Sequence, residues 1–379
     1  MAFLTGILSV AETIAQPNGI PWEWLILKVF SFVVNYGWRV VLFTVLLKLL
    51  LYPLDLFQRY KMRKNQKITE RLKPEMDRLQ KACGGNTQEF QQKQMQLNKR
   101  EGYSYFSACL PAIVTMLIFF WLFYSLNNIS QYMIMRQYLE WCDVYNAAYE
   151  QVMPDNYDEL TEDEKAAAKM SATETGRKAV YEFYYNNDKT YNQNGTNMEN
   201  FLWIKNIWSP DVPWKKPILE YDAFLKATGD WSKKSGKLGI EQEKLDAALA
   251  QYTDVTGELQ KSAENKTNGL LILPILAAGL SFLSQFISQR QQKKSGQNMG
   301  AMGGSMKFMM VLFPIMMVFF SLTYTSAFTL YIVVNSAMTI LLNLLSSLIF
   351  GIKDKTAEKA ATATIIKYGR PDPNDRIKK

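Results

Sequence analysis

Apolar residues along this chain are gathered into five blocks separated by polar stretches, and the spacing of the blocks predicts most of the architecture. The first block, NYGWRVVLFTVLLKLLLYPLDLFQ, holds a span over residues 38–57 that is long enough, at 1.5 Å per residue, to cross a hydrocarbon core of about 30 Å. YFSACLPAIVTMLIFFWLFYSL predicts a second span over 105–126, and GLLILPILAAGLSFLSQFIS a third over 269–288. MKFMMVLFPIMMVFFSLT and FTLYIVVNSAMTILLNLLSSLIF supply a fourth over 306–323 and a fifth over 328–350. The expected fold class is an all-α polytopic membrane protein with five transmembrane helices.

The polar stretches between the blocks have patterns of their own. Over 58–104, Met62, Ile68, Leu72, Met76 and Leu79 recur at helical spacing, Gly84-Gly85-Asn86 makes a turn, and Phe90, Met95 and Leu97 continue beyond it, so a helical hairpin is expected. Residues 127–268 are too charged to enter lipid and predict an enlarged, mainly helical water-soluble region. Its helices are expected around 133–152, 161–185, 218–229 and 240–262, with a capping box at Thr161 and Glu164 and a loop at NNDKTYNQNGTN. Residues 289–305 form a Gly-, Gln- and Lys-rich connector, and 351–379 a basic tail. In the N-terminal segment, 1–37, MAFLTGILSVAETIAQ has no basic n-region and no small-residue cleavage site, so a cleaved signal peptide is not expected. After the breakers Pro17, Asn18, Gly19 and Pro21, residues Trp22, Trp24 and Lys28 suit a helix lying at the membrane interface; a first span that starts at Leu25 is the other reading.

Charge distribution orients these elements. Gln58 to Glu101 carries 12 Lys/Arg against 5 Asp/Glu, Ser284 to Lys307 carries 4 against none, and Gly351 to Lys379 carries 8 against 4, whereas Asn127 to Asn268 carries 16 against 23. By the positive-inside rule the hairpin, connector and tail are cytoplasmic and the acidic region is outside, with the N-terminus out and the C-terminus in. Five spans require termini on opposite sides, so the two arguments agree.

Candidate chemistry centres on Lys48, a full charge near the middle of the first span. A lysine at that depth costs about 2.5–3.5 kcal/mol on insertion scales and is usually turned toward a bundle interior or a wet cavity. Snorkelling is the alternative, but about ten residues of helix, roughly 15 Å, separate Lys48 from Gln58. Thr44 shares its face one turn earlier. On the third span Ser281, Gln285 and Ser288 share a face, as do Asn335, Thr339 and Asn343 on the fifth; with Thr115 these could line one hydrated concavity or simply bond across helix contacts. Spans two and four are aromatic- and Met-rich, which suits either an adaptable apolar surface or ordinary core and lipid contact. The chain has no histidine, which removes the commonest general base and nearly every metal site, and Cys83, Cys109 and Cys142 have no metal-ligand or disulfide spacing. No nucleotide-binding loop is present in the sequence. An enzyme is therefore not expected, and no cofactor or metal is called for.

The blocks NYGWRVVLFTVLLKLLLYPL, KPEMDRLQK, CLPAIVTMLIFF, FLWIKNIWSPD, LILPILAAGLSFLSQ and LYIVVNS, in that order, resemble the successive blocks of the YidC/Oxa membrane protein insertases. The likeness covers most of the membrane portion, while 131–200 and 219–267 look like insertions, and it is to the bacterial five-span form without a large domain between the first two spans. It implies a groove open to cytoplasm and lipid, with a basic residue, usually arginine, at the position of Lys48. Groove residues would be Lys48, Thr44, Thr115, Ser281, Gln285, Tyr331, Asn335 and Thr339. An apolar slide for clients would comprise Ile118, Phe119, Leu122, Met309, Met310, Phe313, Met316 and Met317. The chain departs from the family at Thr115 and Leu117, where glutamine and proline are common, and at Ile332, where an aromatic is common. Implied partners are nascent membrane proteins and the lipid bilayer of the bacterial plasma membrane, with the ribosome and Sec translocon as further candidates and no DNA. From the residues alone a small-solute transporter or channel with Lys48 in its binding site stays open, although no internal repeat of the kind such proteins often show is visible.

Overall fold

The structure is a computed structural model that describes residues 21–33, 35–103, 105–185, 200–229, 240–293, 312 and 315–368. Its regular elements are helical, with one isolated antiparallel bridge between Phe201 and Ile204 among the described residues. The helices are α1 (Pro21–Leu27), α2 (Tyr36–Ala82), α3 (Thr87–Arg100), α4 (Tyr105–Val152), α5 (Glu162–Tyr185), α6 (Tyr221–Ala227), α7 (Gln242–Ala250), α8 (Tyr252–Ser262), α9 (Ile272–Lys293), α10 (residues 315–323) and α11 (Ser326–Tyr368). Among the described residues, two stretches are long and apolar enough to cross a membrane, Tyr36–Lys61 of α2 and Ser326–Leu348 of α11, and Ile272–Ser288 of α9 is a shorter apolar helix. The NNDKTYNQNGTN loop, most of the connector over 289–305 and the first part of the fourth predicted span lie outside the described residues.

Three helices run on where the sequence pattern changes from apolar to polar. α2 continues for 47 residues through Pro53 and Pro74 into the predicted hairpin arm, and α4 continues for 48 residues from the second predicted span into the polar region. α11 carries on to Tyr368. Polarity alone does not end a helix; a stop needs a capping residue or a left-handed turn, and α2 meets its first one at Gly84 and Gly85, with φ of 56° and 93°. The reverse holds for 240–262, which is two helices. Gln251, at φ −84° and ψ 0°, turns its amide back to Ala248 and ends α7 before α8 begins.

The chain divides into two compact units: Met1–Leu47, Ala112–Ser281 and Lys307–Val334 in the first, and Lys48–Pro111, Phe282–Met306 and Asn335–Lys379 in the second. The first is organised by the irregular segment 201–218, which ties down three helix starts. Asn35 caps α2, its Oδ1 accepting from the Gly37 and Trp38 amides at 2.9 and 3.3 Å while its Nδ2 donates to the Asn200 carbonyl at 2.6 Å. Gly37 is required there, because a Cβ would lie 2.0 Å from the Phe201 ring. Asp211, fully buried, caps α9 from a distance of some sixty residues: its carboxylate accepts from the Leu270 and Leu273 amides, each at 2.7 Å, and from the Trp203 indole at 3.2 Å. Gly269 leaves room for it, since a Cβ would meet Oδ1 at 1.9 Å. Asn206 and Asn268 brace the same segment through the Asn206 and Trp208 amides, both at 2.8 Å, and the Pro210 and Pro217 carbonyls. The Ser209 carbonyl receives the Ser326 amide and hydroxyl at 3.0 and 2.6 Å, which anchors the start of α11.

Beyond this hub the first unit has an aromatic core. Tyr138 of α4 meets Phe224 of α6 and Tyr252 of α8 at ring separations of 5.1 and 4.8 Å, and its hydroxyl donates to the Ala248 carbonyl. The predicted capping box is present: Glu164 Oε2 accepts from the Thr161 amide at 2.9 Å, and Thr161 Oγ1 from the Glu164 amide at 3.4 Å. Gly176 lets α5 approach the Tyr145 ring, where a Cβ would lie 2.7 Å away, and Arg177 pairs with Asp254 of α8 at 2.5 Å. Burial pushes the Cys142 thiol up to about 12, so it stays an inert core group.

The second unit contains the hairpin of α2 and α3. Ile68, Leu72 and Leu97 form its core, with Met76 and Tyr103 packed against them, and Asn86 caps α3 by accepting from the Glu89 amide at 3.3 Å. Arg71–Glu101 at 2.7 Å and Arg100–Glu75 at 3.2 Å cross the hairpin in solvent. Solvent screens such exposed pairs, so they add little beside the burial of a leucine, and the apolar seam carries the pairing.

Candidate functional site

Three charged residues share one face of α2 within the second unit. Lys48, Asp55 and Arg59 stand seven and four residues apart, which at 100° per residue brings each back within about 20° of the same direction. All three are half-buried in a helix that is otherwise apolar at this level. Asp55 lies within electrostatic reach of both cations and attracts each, while Lys48 and Arg59 repel one another. The cluster therefore presents a net single positive charge, set beside Pro53, whose missing amide leaves the Leu49 carbonyl without its helical donor.

Polar groups of α9 and α11 join this cluster. The Arg59 guanidinium donates to Asn343 Oδ1, and Asn343 Nδ2 donates in turn to Ser288 Oγ at 3.2 Å, so one chain of hydrogen bonds links α2, α11 and α9. Tyr52 and Ser346 hydroxyls form a second link between α2 and α11 at 3.2 Å. Several hydroxyls are also bonded to their own helix, Thr339 to the Asn335 carbonyl at 2.7 Å and Ser288 to the Ser284 carbonyl at 2.8 Å. A serine or threonine bonded this way keeps its acceptor lone pairs available, so the arrangement accepts further donors without breaking.

The predicted groove residues fall in both units. Lys48, Gln285, Asn335 and Thr339 belong to the second, all half-buried. Thr44, Ser281 and Tyr331 belong to the first and are buried: Thr44 donates to the Val40 carbonyl at 2.6 Å and Tyr331 stacks on Phe328 at 6.3 Å. Of the predicted slide, Leu122 and Met317 are buried within the first unit, Ile118 and Phe119 are half-buried, and Met316 is exposed. The apolar surface around them is completed by Met116, Leu117, Phe120, Trp121, Ile315 and Phe319, all exposed. Met309, Met310, Phe313 and the Thr115 side chain lie outside the described residues.

Neither Asp55 nor Arg59 is among the residues that the sequence singles out for the groove. The signal was nevertheless there, in the seven-and-four spacing from Lys48. Tyr52 and Ser346 gave no such signal, because their pairing joins positions almost three hundred residues apart.

Comparison with known proteins adds to this geometry. The family model described as 60Kd inner membrane protein matches residues 28–350. A 106-residue stretch is 37% identical to a Laribacter hongkongensis protein named Membrane protein insertase YidC, covering 28% of this chain and 18% of that protein. Proteins of the same name from Helicobacter pylori and Treponema pallidum are 38% identical over 100 residues and 30% identical over 125, covering 26% and 33% of this chain. The matched stretches span about a fifth of the length of these curated relatives.

Proposed function

The chain belongs to the 60Kd inner membrane protein family, the YidC/Oxa family, and from that membership we propose that it is a membrane protein insertase and chaperone of the bacterial plasma membrane. In this reading five spans cross the bilayer with the N-terminus out and the C-terminus in, residues 127–268 lie outside, and the hairpin, the connector over 289–305 and the tail over 351–379 lie in the cytoplasm. The observation that carries it is a charged and hydrogen-bonded cluster, Lys48, Asp55, Arg59, Asn343 and Ser288, inside helices that are otherwise apolar enough to enter lipid. Such groups at membrane depth mark a hydrated path.

The mechanism follows from transfer energetics. A nascent helix presents its polar or acidic flanking segment to the groove around Lys48, where the low local dielectric strengthens the attraction. Water in the groove shortens the distance over which charge crosses hydrocarbon, and the apolar part of the client moves along spans two and four into lipid. Burial of apolar area in lipid drives the step, helped for acidic translocated segments by the membrane potential, about 2.3 kcal/mol per charge per 100 mV. No residue performs covalent chemistry. Clients are nascent membrane proteins, and the basic hairpin and tail suit contact with ribosomal RNA phosphates.

The test is the purified protein alone in liposomes, offered one short client with an acidic translocated tail and the same client with the tail neutralised. Lys48→Arg keeps insertion, Lys48→Ala lowers it chiefly for the acidic tail, and Lys48→Glu lowers it further. Equal losses for both tails, after normalising to folded protein, refute the recruiting charge. Solute flux in place of client insertion identifies a transporter or channel instead.

A further inference from the structure

We propose that the turn 201–204 and the nearby Trp214 form a lipid-binding surface, with Leu202 and Trp214 inserted among the upper acyl chains of one leaflet and Lys205 and Lys215 meeting lipid phosphates. The inference rests on the reading of α2 as a membrane span. Leu202 stands at φ 54° in the tip of a closed two-residue turn, in which the Phe201 amide donates to the Ile204 carbonyl at 3.0 Å and the Ile204 amide to the Phe201 carbonyl at 2.9 Å. That left-handed position suits glycine or asparagine, because a larger side chain crowds its own carbonyl there. Leu202 is 70% exposed, so packing against the described residues does little to offset the cost. An apolar medium around the tip offsets it, and the fold brings one there.

Trp38, in the first turn of α2 and itself exposed, packs edge-to-face on the Phe201 ring at 5.5 Å. The turn is thereby fixed beside the point where the apolar stretch Tyr36–Lys61 begins. Asp211 ties the same segment to the start of α9, where Leu270 and Ile275 are exposed. The end of an apolar helix that enters lipid lies at headgroup level, the depth at which tryptophan is enriched. The tip is therefore continuous with the lipid-facing surface of α2. Trp214 is 62% exposed on the same segment, and the charges beside it fit a bilayer. The Lys215 carbonyl accepts from the Asn268 amide at 2.7 Å, and the Asn268 carbonyl accepts from the Lys205 amide at 3.1 Å, so two exposed lysines flank one residue of chain. Apolar tips with lysines alongside match acyl chains on one side and phosphates on the other, since a lysine stem runs over apolar surface and carries its charge to the headgroups. The consequence is control of depth. Segment 201–218 holds the starts of α2, α9 and α11, so anchoring it in the headgroup layer sets the height at which those helices meet the bilayer.

The test uses the full chain with its three cysteines replaced by alanine, in bilayers of phosphatidylcholine and phosphatidylglycerol. A nitrobenzoxadiazole label is placed at Leu202→Cys or, as an independent site on the same surface, at Trp214→Cys. Leu50→Cys on α2 and Met170→Cys on α5, both highly exposed, serve as the deep and the aqueous reference. Nitroxide near the head of the acyl chain is expected to quench the labels at 202 and 214 about twofold more than nitroxide near its far end, as for side chains about 5–10 Å into the headgroup boundary. The Leu50 label should show the reverse order, and the Met170 label neither. Nitroxide carried on phosphatidylglycerol should quench the label at 202 more than the same nitroxide on phosphatidylcholine, and Lys205→Gln with Lys215→Gln should make the two equal. Labels at 202 and 214 that behave like Met170, while Leu50 is quenched, overturn the inference and leave α2 as a span. Equal quenching by the two lipids before the lysines are changed overturns the phosphate contacts. If the Leu50 label is not quenched, the span reading of α2 fails and this inference with it.

Discussion

Replacing Asp211 should release the irregular segment 201–218 from the start of α9 while leaving the remainder of the first unit folded. The carboxylate is fully buried and has three donors, the Leu270 and Leu273 amides at 2.7 Å and the Trp203 indole at 3.2 Å. Asp211→Asn retains one acceptor oxygen but turns an amide donor toward groups that are themselves donors. It also removes the negative charge from a helix N-terminus, a change of about 0.3–2 kcal/mol, and one buried donor left unpaired adds about 1–3 kcal/mol. The expected loss is about 2–4 kcal/mol, and Asp211→Ala, which strands all three donors, should cost about 3–5 kcal/mol. Hydrogen exchange read by mass spectrometry, under conditions where exchange reports the opening equilibrium, measures this locally. Protection over 201–218 and 268–275 should fall roughly thirtyfold or more in Asp211→Asn, at 1.4 kcal/mol per tenfold, with α5 and α8 unchanged. Unaltered protection in those peptides would refute the staple, and an equal loss throughout the unit would show that Asp211 supports the whole core rather than one junction.

Two further outcomes follow from named groups. Burial raises the Glu140 carboxyl to about 7 from 4.5 despite its pairing with Arg136 at 2.9 Å. Because the folded state holds this proton more tightly than the unfolded chain, its contribution to stability is full below about pH 4.5, declines as pH rises through about 7 and is flat above, a span of about 3 kcal/mol. Glu140→Gln should remove that slope from the pH dependence of thermal unfolding, and an unchanged slope assigns it elsewhere. In the hairpin, Leu72→Asp places an unpaired carboxylate among Ile68, Leu97, Met76 and Tyr103 and should open the α2–α3 pairing at a cost of about 3–5 kcal/mol. Protease should then cut near Gly84 and Gly85 while the first unit stays intact; simultaneous loss of both units would mean that the hairpin braces the fold.

Much of the architecture was legible because membrane solvation and helix periodicity act locally. The apolar blocks, the Gly84-Gly85-Asn86 turn and the Thr161–Glu164 capping box each depend on residues within a turn or two of one another, and such signals survive in a single sequence. Lys48 was conspicuous because a charge in an apolar run is costly wherever the run folds. What escaped notice depends on distance along the chain or on the absence of a stop. Nothing in the polarity change after Pro53 shows that α2 continues to Ala82, since the arm is as good a helix former as the span. Asp211 looked like one more acidic residue in a loop, and only the approach of Leu270 and Leu273 makes it a cap. Gln251 carries no glycine or proline to announce the break between α7 and α8.

The continuity of α2 within the second unit gives the hairpin mechanical leverage. From Lys48 to Ala82 the helix runs for about 50 Å, at 1.5 Å per residue, and a hydrogen-bonded rod passes torsion about its own axis from end to end. A load that twists α3 against Leu72 is thus felt as a turn of the face that carries Lys48, Asp55 and Arg59. Pro53 and Pro74 are the joints where that rod yields, since each lacks one rung of the ladder. Any force applied to the arm would therefore aim the charged face rather than merely disturb a distant loop.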